Sequence, residues 1–251
     1  MRSTWSDLSP AVASQAVRLR GSGVAWVALG VPALAIALAA LVLSAAEAPS
    51  DAGEADAWAE VMQAAFGVWS LMLLPLLTAL LAAQVAALEH GARSWKHLFA
   101  MPVWKGAHVA SMWLAVAGLT ALATTALAVG IAVVGTVVST LRPALEMPAA
   151  PVLALAQAAG LVYVCTLPLV GGHLWLSIRW PGVGVGLGVA IAGVLTNVVL
   201  LNLGAGVWTP YGLAPSALMQ GQSWLAGIGL TVGVAVLVAS MWHITRRDAP
   251  G

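Results

Sequence analysis

Charged side chains make up only 8% of the 251 residues, against about 25% in an ordinary soluble domain, and the formal net charge is +1. That scarcity excludes a soluble globular enzyme and a disordered chain, and the near-neutral balance leaves no basic surface for nucleic acid. Cysteine occurs once, at Cys165, so no internal disulfide forms, and no Cys/His cluster has metal-ligand spacing. Neither of the two lysines, Lys96 and Lys105, follows a glycine-rich turn, which excludes a Walker A loop. The run from Gly182 to Gly188 gives no G-x-G-x-x-G frame; Gly184 and Gly188 read instead as a small-xxx-small face for close helix packing. Gly221-Gln222-Ser223-Trp224 lacks the final glycine of an intramembrane serine nucleophile turn. The sequence therefore offers no catalytic residue and no cofactor site.

What it has in abundance is apolar length. Hydrophobic residues make up 61% of the chain, and the mean hydropathy is +0.96. A helix needs about 20 apolar residues to cross ~30 Å of hydrocarbon. Six stretches meet that length: Ser22 to Ala46, Val61 to Leu88, Val109 to Val138, Val152 to Ile178, Val183 to Leu203 and Trp224 to Trp242. The first is too long for a signal-peptide core and is expected to be retained. The fold expected is all-α, a polytopic membrane protein of six transmembrane helices.

The connections set the orientation. Arg2, Arg18, Arg20, Arg93, Lys96, Lys105, Arg179, Arg246 and Arg247 fall on one side. The other side holds Arg142 with Glu47, Asp51, Glu54, Asp56, Glu60 and Glu146. The positive-inside rule then puts both termini in the cytoplasm. Residues 1–21 form a cytoplasmic amphipathic segment, with Ser9 and Pro10 as N-cap and first helical position of a short helix over 10–20. Residues 22–243 form one six-helix domain and 244–251 a cytoplasmic tail. The outer connection 204–223 is a candidate re-entrant segment. Tryptophans such as Trp26, Trp58, Trp180, Trp208 and Trp242 fall near span boundaries, as an interfacial belt does, whereas Trp69 and Trp113 sit deeper and are expected to pack between helices.

The spans hold no Asp, Glu, Lys or Arg at mid-depth, although ion-driven transporters and proton relays need such groups. His108, His173 and His243 fall toward the cytoplasmic ends and read as interfacial histidines bonding headgroups or backbone. Uncharged polar residues, among them Thr120, Thr124, Thr125, Thr166, Thr196, Asn197 and Asn202, read as interhelical hydrogen-bonding groups or as lining of a substrate path. No substrate-binding residue is singled out.

The connection from Glu89 to His108 is the informative one. It holds Glu89, Arg93, Trp95, Lys96, Leu98, Phe99 and Pro102, so it combines charge, aromatic surface and a helix stop. Such a segment is compatible with lying flat on the membrane, or with docking in a groove on a cytoplasmic partner. Glu followed by a short polar stretch, then Trp95-Lys96-His-Leu98 and Met101-Pro102, resembles the permeases of type-2 ABC exporters, in particular the bacitracin-resistance and lantibiotic-immunity branch. Trp208-Thr-Pro210-Tyr211-Gly-Leu-Ala-Pro215 is similar to that branch's stretch between the last two spans. The family's N-terminal helix commonly carries an acidic residue and lysines, where this chain has Gln15, Arg18 and Arg20.

The resemblance implies a non-catalytic membrane subunit in a bacterial cytoplasmic membrane. Its expected partners are membrane lipid, two copies of an ABC ATPase holding ATP and Mg, and a second permease, identical or related. It implies export of an amphipathic or lipid-associated substrate such as an antimicrobial peptide. ATPase coupling would fall to Glu89, Arg93, Trp95, Lys96, Leu98, Phe99 and Pro102. The spacing of 95, 98 and 99 puts Trp95, Leu98 and Phe99 on one helical face. Two other functions remain open: a membrane scaffold or sensor working with an ATPase without transport, and a passive or secondary transporter.

Overall fold

The computed structural model describes residues 4–45, 54–91, 105–141 and 149–246. Among these the regular structure is entirely helical: α1 (Thr4–Arg20), α2 (Val24–Ala45), α3 (Glu54–Val68), α4 (Leu74–Gly91), α5 (Lys105–Leu141), α6 (Val152–Arg179), α7 (Val183–Asn202), α8 (Leu213–Met219) and α9 (Leu225–Arg246). A π-helical turn, Trp69–Leu73, joins α3 to α4, and a 3-10 turn covers Gly206–Trp208. Among the described residues six helical stretches are long and apolar enough to cross a membrane, and each expected span falls on one of them. Apolar residues in such runs bury all backbone polar groups within the helix itself, as hydrocarbon demands. The coupling residues Arg93, Trp95, Lys96, Leu98, Phe99 and Pro102 lie outside the described residues.

The π turn has a chemical cause in the sequence. Pro75 has no N–H and its ring would collide with the Leu71 carbonyl in a regular α-helix. Widening the turn relieves that collision, and the Leu74 N–H reaches back five residues to the Trp69 carbonyl. The bulge turns Trp69 and Ser70 fully inward. Trp69 Nε1 donates to Thr124 Oγ1 on α5 at 3.3 Å. Trp69 thus packs between helices as expected, and Phe66, Leu74, Leu77, Met112, Leu127 and Leu174 fill the surrounding core.

The spans divide into core and periphery. The Trp58–Glu89 and Val152–Arg179 spans have 56% and 50% of their most apolar windows buried, against 17% for α2 and 22% each for α7 and α9. The latter three therefore leave most of their Leu, Ile and Val side chains uncovered by the rest of this chain. Close approach between α6 and α9 is made by Gly229 and Gly233. A Cβ at Gly229 would lie 2.7 Å from the Val164 carbonyl oxygen, and one at Gly233 2.7 Å from Leu167 Cβ. Pro168 has released that Val164 carbonyl from its helix bond, so the bare glycine edge fits against it.

This packing bears on several sequence expectations. Space beside Gly184 and Gly188 is open to at least 4 Å, while Gly186 between them faces Ser177 and the Ala79 carbonyl. Among the described residues, Gly229 and Gly233 form a pair at four-residue spacing that packs closely on a neighbouring helix of the same chain. Trp58 is buried, not displayed at a boundary, because Gly135 leaves room for its ring; a Cβ there would come within 2.1 Å. The N-terminal helix begins at Thr4 and carries Pro10 inside it, so Ser9 and Pro10 do not start it. The apolar spacing that begins at Trp5 continues unbroken through Pro10, and α1 packs along α5 with Gln15 buried and Leu19 against the core.

Candidate functional site

Two polar constellations stand out against the apolar bundle. The first lies where the connection 92–104 leaves and re-enters the helices. Glu89, in the last turn of α4, has no exposed side-chain surface. The C-terminal end of a helix carries partial negative charge, so a buried carboxylate there requires cationic partners. Arg18, from the end of α1, supplies one through Glu89 Oε1. His108, in the first turn of α5, places Nε2 3.4 Å from Oε2. One carboxylate therefore ties together three helices and both roots of the connection. Gln15 lies one turn before Arg18 and is buried, while Arg18 stays partly exposed.

The histidines do not share one environment. His108 joins this ion cluster, and His243 meets Trp175 edge-on at 5.8 Å. His173 is 2% exposed, inside the bundle and not at a headgroup surface. It belongs to the second constellation, built by the connection between α7 and α9.

That connection folds back along α7. The Tyr211 ring occupies the space beside Gly193, where a Cβ would come within 2.3 Å of it. Its hydroxyl lies 3.0 Å from His173 Nε2 and donates to the Val189 carbonyl at 3.3 Å. Both contacts are satisfied together when His173 Nε2–H donates to the tyrosine oxygen. Asn197 Nδ2 donates to the Tyr211 carbonyl at 3.2 Å and its Oδ1 accepts from Thr209 at 2.8 Å. Gly212 packs so tightly on the Gly206 carbonyl that a Cβ would stand 1.8 Å away. Since Val189 is only the seventh residue of the 20-residue α7, the tyrosine reaches well below the level where the connection departs. α8 then returns, with Leu213 to Ala217 buried.

The other polar residues of the spans mostly satisfy themselves. Thr166 donates to the Val162 carbonyl, Asn202 to Val198 and Ser240 to Val236, each on its own helix. Only Thr124 and Asn197, of those singled out in the sequence, bond to another element. A cavity of about 560 Å³ opens between α3, α6 and α8, lined by Trp58, Met62, Gln63, Pro151, Leu218 and Met219.

Sequence reasoning missed three of these features. Arg18 and His108 were not connected with Glu89, although an acidic residue closing an apolar span demands a nearby cation. Tyr211 was placed in the right segment but not against His173. Pro75 in mid-span was the available signal for the π turn.

Compared with known proteins, residues 16–197 match the model of a family described as "ABC-2 family transporter protein". No curated protein and no solved structure matches the chain.

Proposed function

Because this chain belongs to the ABC-2 family of transporter proteins, we propose that it is the permease subunit of an ATP-driven exporter, moved by a separate ATPase that binds ATP and Mg. Family membership makes it a multi-pass membrane transport subunit; the manner of coupling and the cargo are the proposal. The observation that carries it is the Glu89 cluster. Both roots of the connection 92–104 meet at one buried carboxylate, so a push on that connection reaches α4, α5 and, through Arg18, α1 as one body. No Asp, Glu, Lys or Arg falls at mid-depth in the spans, and an external energy source supplies what they lack.

In this reading the segment 92–104 lies in the cytoplasm with both termini, in a bacterial cytoplasmic membrane. Trp95, Leu98 and Phe99 form the apolar face that enters a groove on the ATPase, Arg93 and Lys96 flank it with charge, and Pro102 ends the helix. Two ATPases act on two permeases, the second identical or related. The connection 204–223 is re-entrant from the outer side, held by Tyr211. The cargo is amphipathic or lipid-associated, and immunity to an antimicrobial peptide or lantibiotic fits that chemistry.

Truncating a buried aromatic anchor at an interface costs about 2 kcal/mol or more, or roughly thirtyfold in affinity. Trp95→Ala combined with Phe99→Ala therefore releases the ATPase while membrane insertion stays intact. The test is pull-down of the ATPase by wild-type and double-mutant permease at equal membrane abundance. Unchanged retention together with unchanged substrate-stimulated ATP turnover would overturn the docking reading.

A further inference from the structure

Between α5 and α6 runs a groove of about 490 Å³, lined by small and branched apolar side chains, by Thr124, whose hydroxyl bonds its own helix, and by two further hydroxyl-bearing residues, Thr125 and Tyr163. Ala128, Ala156 and Gly160 keep it open. Its volume falls in the range of about 300–1,000 Å³ that holds a drug-sized molecule. Thr125 is the twenty-first of 37 residues of α5, and Tyr163 the twelfth of 28 residues of α6, so both lie well inside their spans.

The two hydroxyls set this groove apart from an ordinary lipid-facing seam. Thr124 and Thr166 return their hydroxyls to their own helix, but neither Thr125 nor Tyr163 has a hydrogen-bond partner among the described residues. An unpaired hydroxyl in hydrocarbon is costly. Phospholipid tails carry no group that relieves it, because their ester carbonyls sit at the interface. An occupant that does so carries apolar surface and a hydrogen-bonding group at mid-depth.

We propose that the α5–α6 groove is a binding site, entered sideways from the bilayer, for an apolar small molecule bearing an amide or similar carbonyl, which Thr125 and Tyr163 recognise by hydrogen bonding. This assignment of the exporter's cargo site rests on the transport reading above. The site is also linked to the moving parts. Thr124 on the groove wall accepts the hydrogen bond from Trp69, at the start of the π turn in the span that continues into the 92–104 connection.

The test uses the full chain alone in lipid nanodiscs, with a diazirine-bearing N-alkyl amide as probe and mass spectrometry to map its adducts. Adducts are expected on the α5 and α6 residues of the groove, and unlabelled N-octyl acetamide should compete while dodecane should not. A Cβ at Gly160 meets nothing within 4 Å, so the Gly160→Leu side chain has room to start into the groove, and by filling it should reduce the adducts at least tenfold. Tyr163→Phe with Thr125→Val, nearly isosteric changes, should weaken the amide probe about tenfold, the net worth of a hydrogen bond, and leave a plain alkyl diazirine unaffected. Labelling spread evenly over all outward helix faces, or equal competition by dodecane, would overturn the proposal. So would a Tyr163/Thr125 double variant that binds the amide as wild type does. No ATPase takes part, so these outcomes stand apart from the pull-down, whose failure would remove the transport reading and leave the site's chemistry standing.

Discussion

Replacing Arg18 by alanine takes the arginine away from a carboxylate whose side chain has no exposure. Breaking a fully buried ion pair by removing one partner costs about 3–5 kcal/mol, whereas an exposed pair is worth about 0–1 kcal/mol. The Arg18 side chain is 35% exposed and His108 remains 3.4 Å from the other carboxylate oxygen. The expected loss therefore falls between those limits, at about 2 kcal/mol. At roughly 2–4 °C per kcal/mol for a chain of this size, Tm should drop by about 4–8 °C. Glu89→Gln in the same background removes the charge that Arg18 had balanced, so the double variant should be more stable than the sum of the single losses by about 1–2 kcal/mol. Thermal unfolding of all four proteins in one lipid–detergent mixture, followed by circular dichroism, gives the cycle. A loss below about 0.5 kcal/mol for Arg18→Ala with strictly additive energies would refute the argument. The pair would then be a surface contact that α1, α4 and α5 do not need.

Further expectations concern packing, the outer connection and orientation. Gly229→Val and Gly233→Val should each cost about 1–3 kcal/mol by overpacking the α6–α9 contact, while Gly184→Val should leave the monomer's Tm unchanged, because nothing lies within 4 Å of it; thermal unfolding in detergent compares the three. Tyr211→Phe removes the hydroxyl that bridges His173 and Val189 and should cost about 1–2 kcal/mol, seen as faster amide hydrogen exchange over 206–219. Equal exchange in the two proteins would leave that hydroxyl without energetic weight. Single cysteines at Asp51, Glu146 and Gln222 should react with a membrane-impermeant maleimide from outside, and those at Ser94 and Ala249 only after permeabilisation. Outside labelling at Ser94 would reverse the orientation and remove the ATPase from reach.

The six spans were legible because a bilayer-length apolar run has one outcome in hydrocarbon. A helix is the form that satisfies its own backbone, so length and hydropathy alone placed every one. The family was legible from the charged and aromatic residues around Glu89, where a span ends in a pattern that lipid contact does not explain. Helix partners were not legible. Gly184 and Gly188 carry the same spacing as Gly229 and Gly233, and nothing local says which pair meets a neighbour and which faces outward. That depends on where α6 runs and on the carbonyl that Pro168 leaves free. Trp58 likewise looked interfacial by position, yet Gly135 on a distant helix made room for it.

The sequence by itself therefore determined the number of membrane helices, their approximate places and the class of protein, since each depends on hydrophobic length or on a contiguous motif. Tertiary structure alone decided that Glu89 meets Arg18 across 71 residues, that Tyr211 descends to His173, and that Thr125 and Tyr163 face one groove. These are pairings between side chains far apart in sequence. In an apolar solvent, where almost every residue is hydrophobic, the few polar groups find their partners by three-dimensional proximity and leave no periodic trace in the chain.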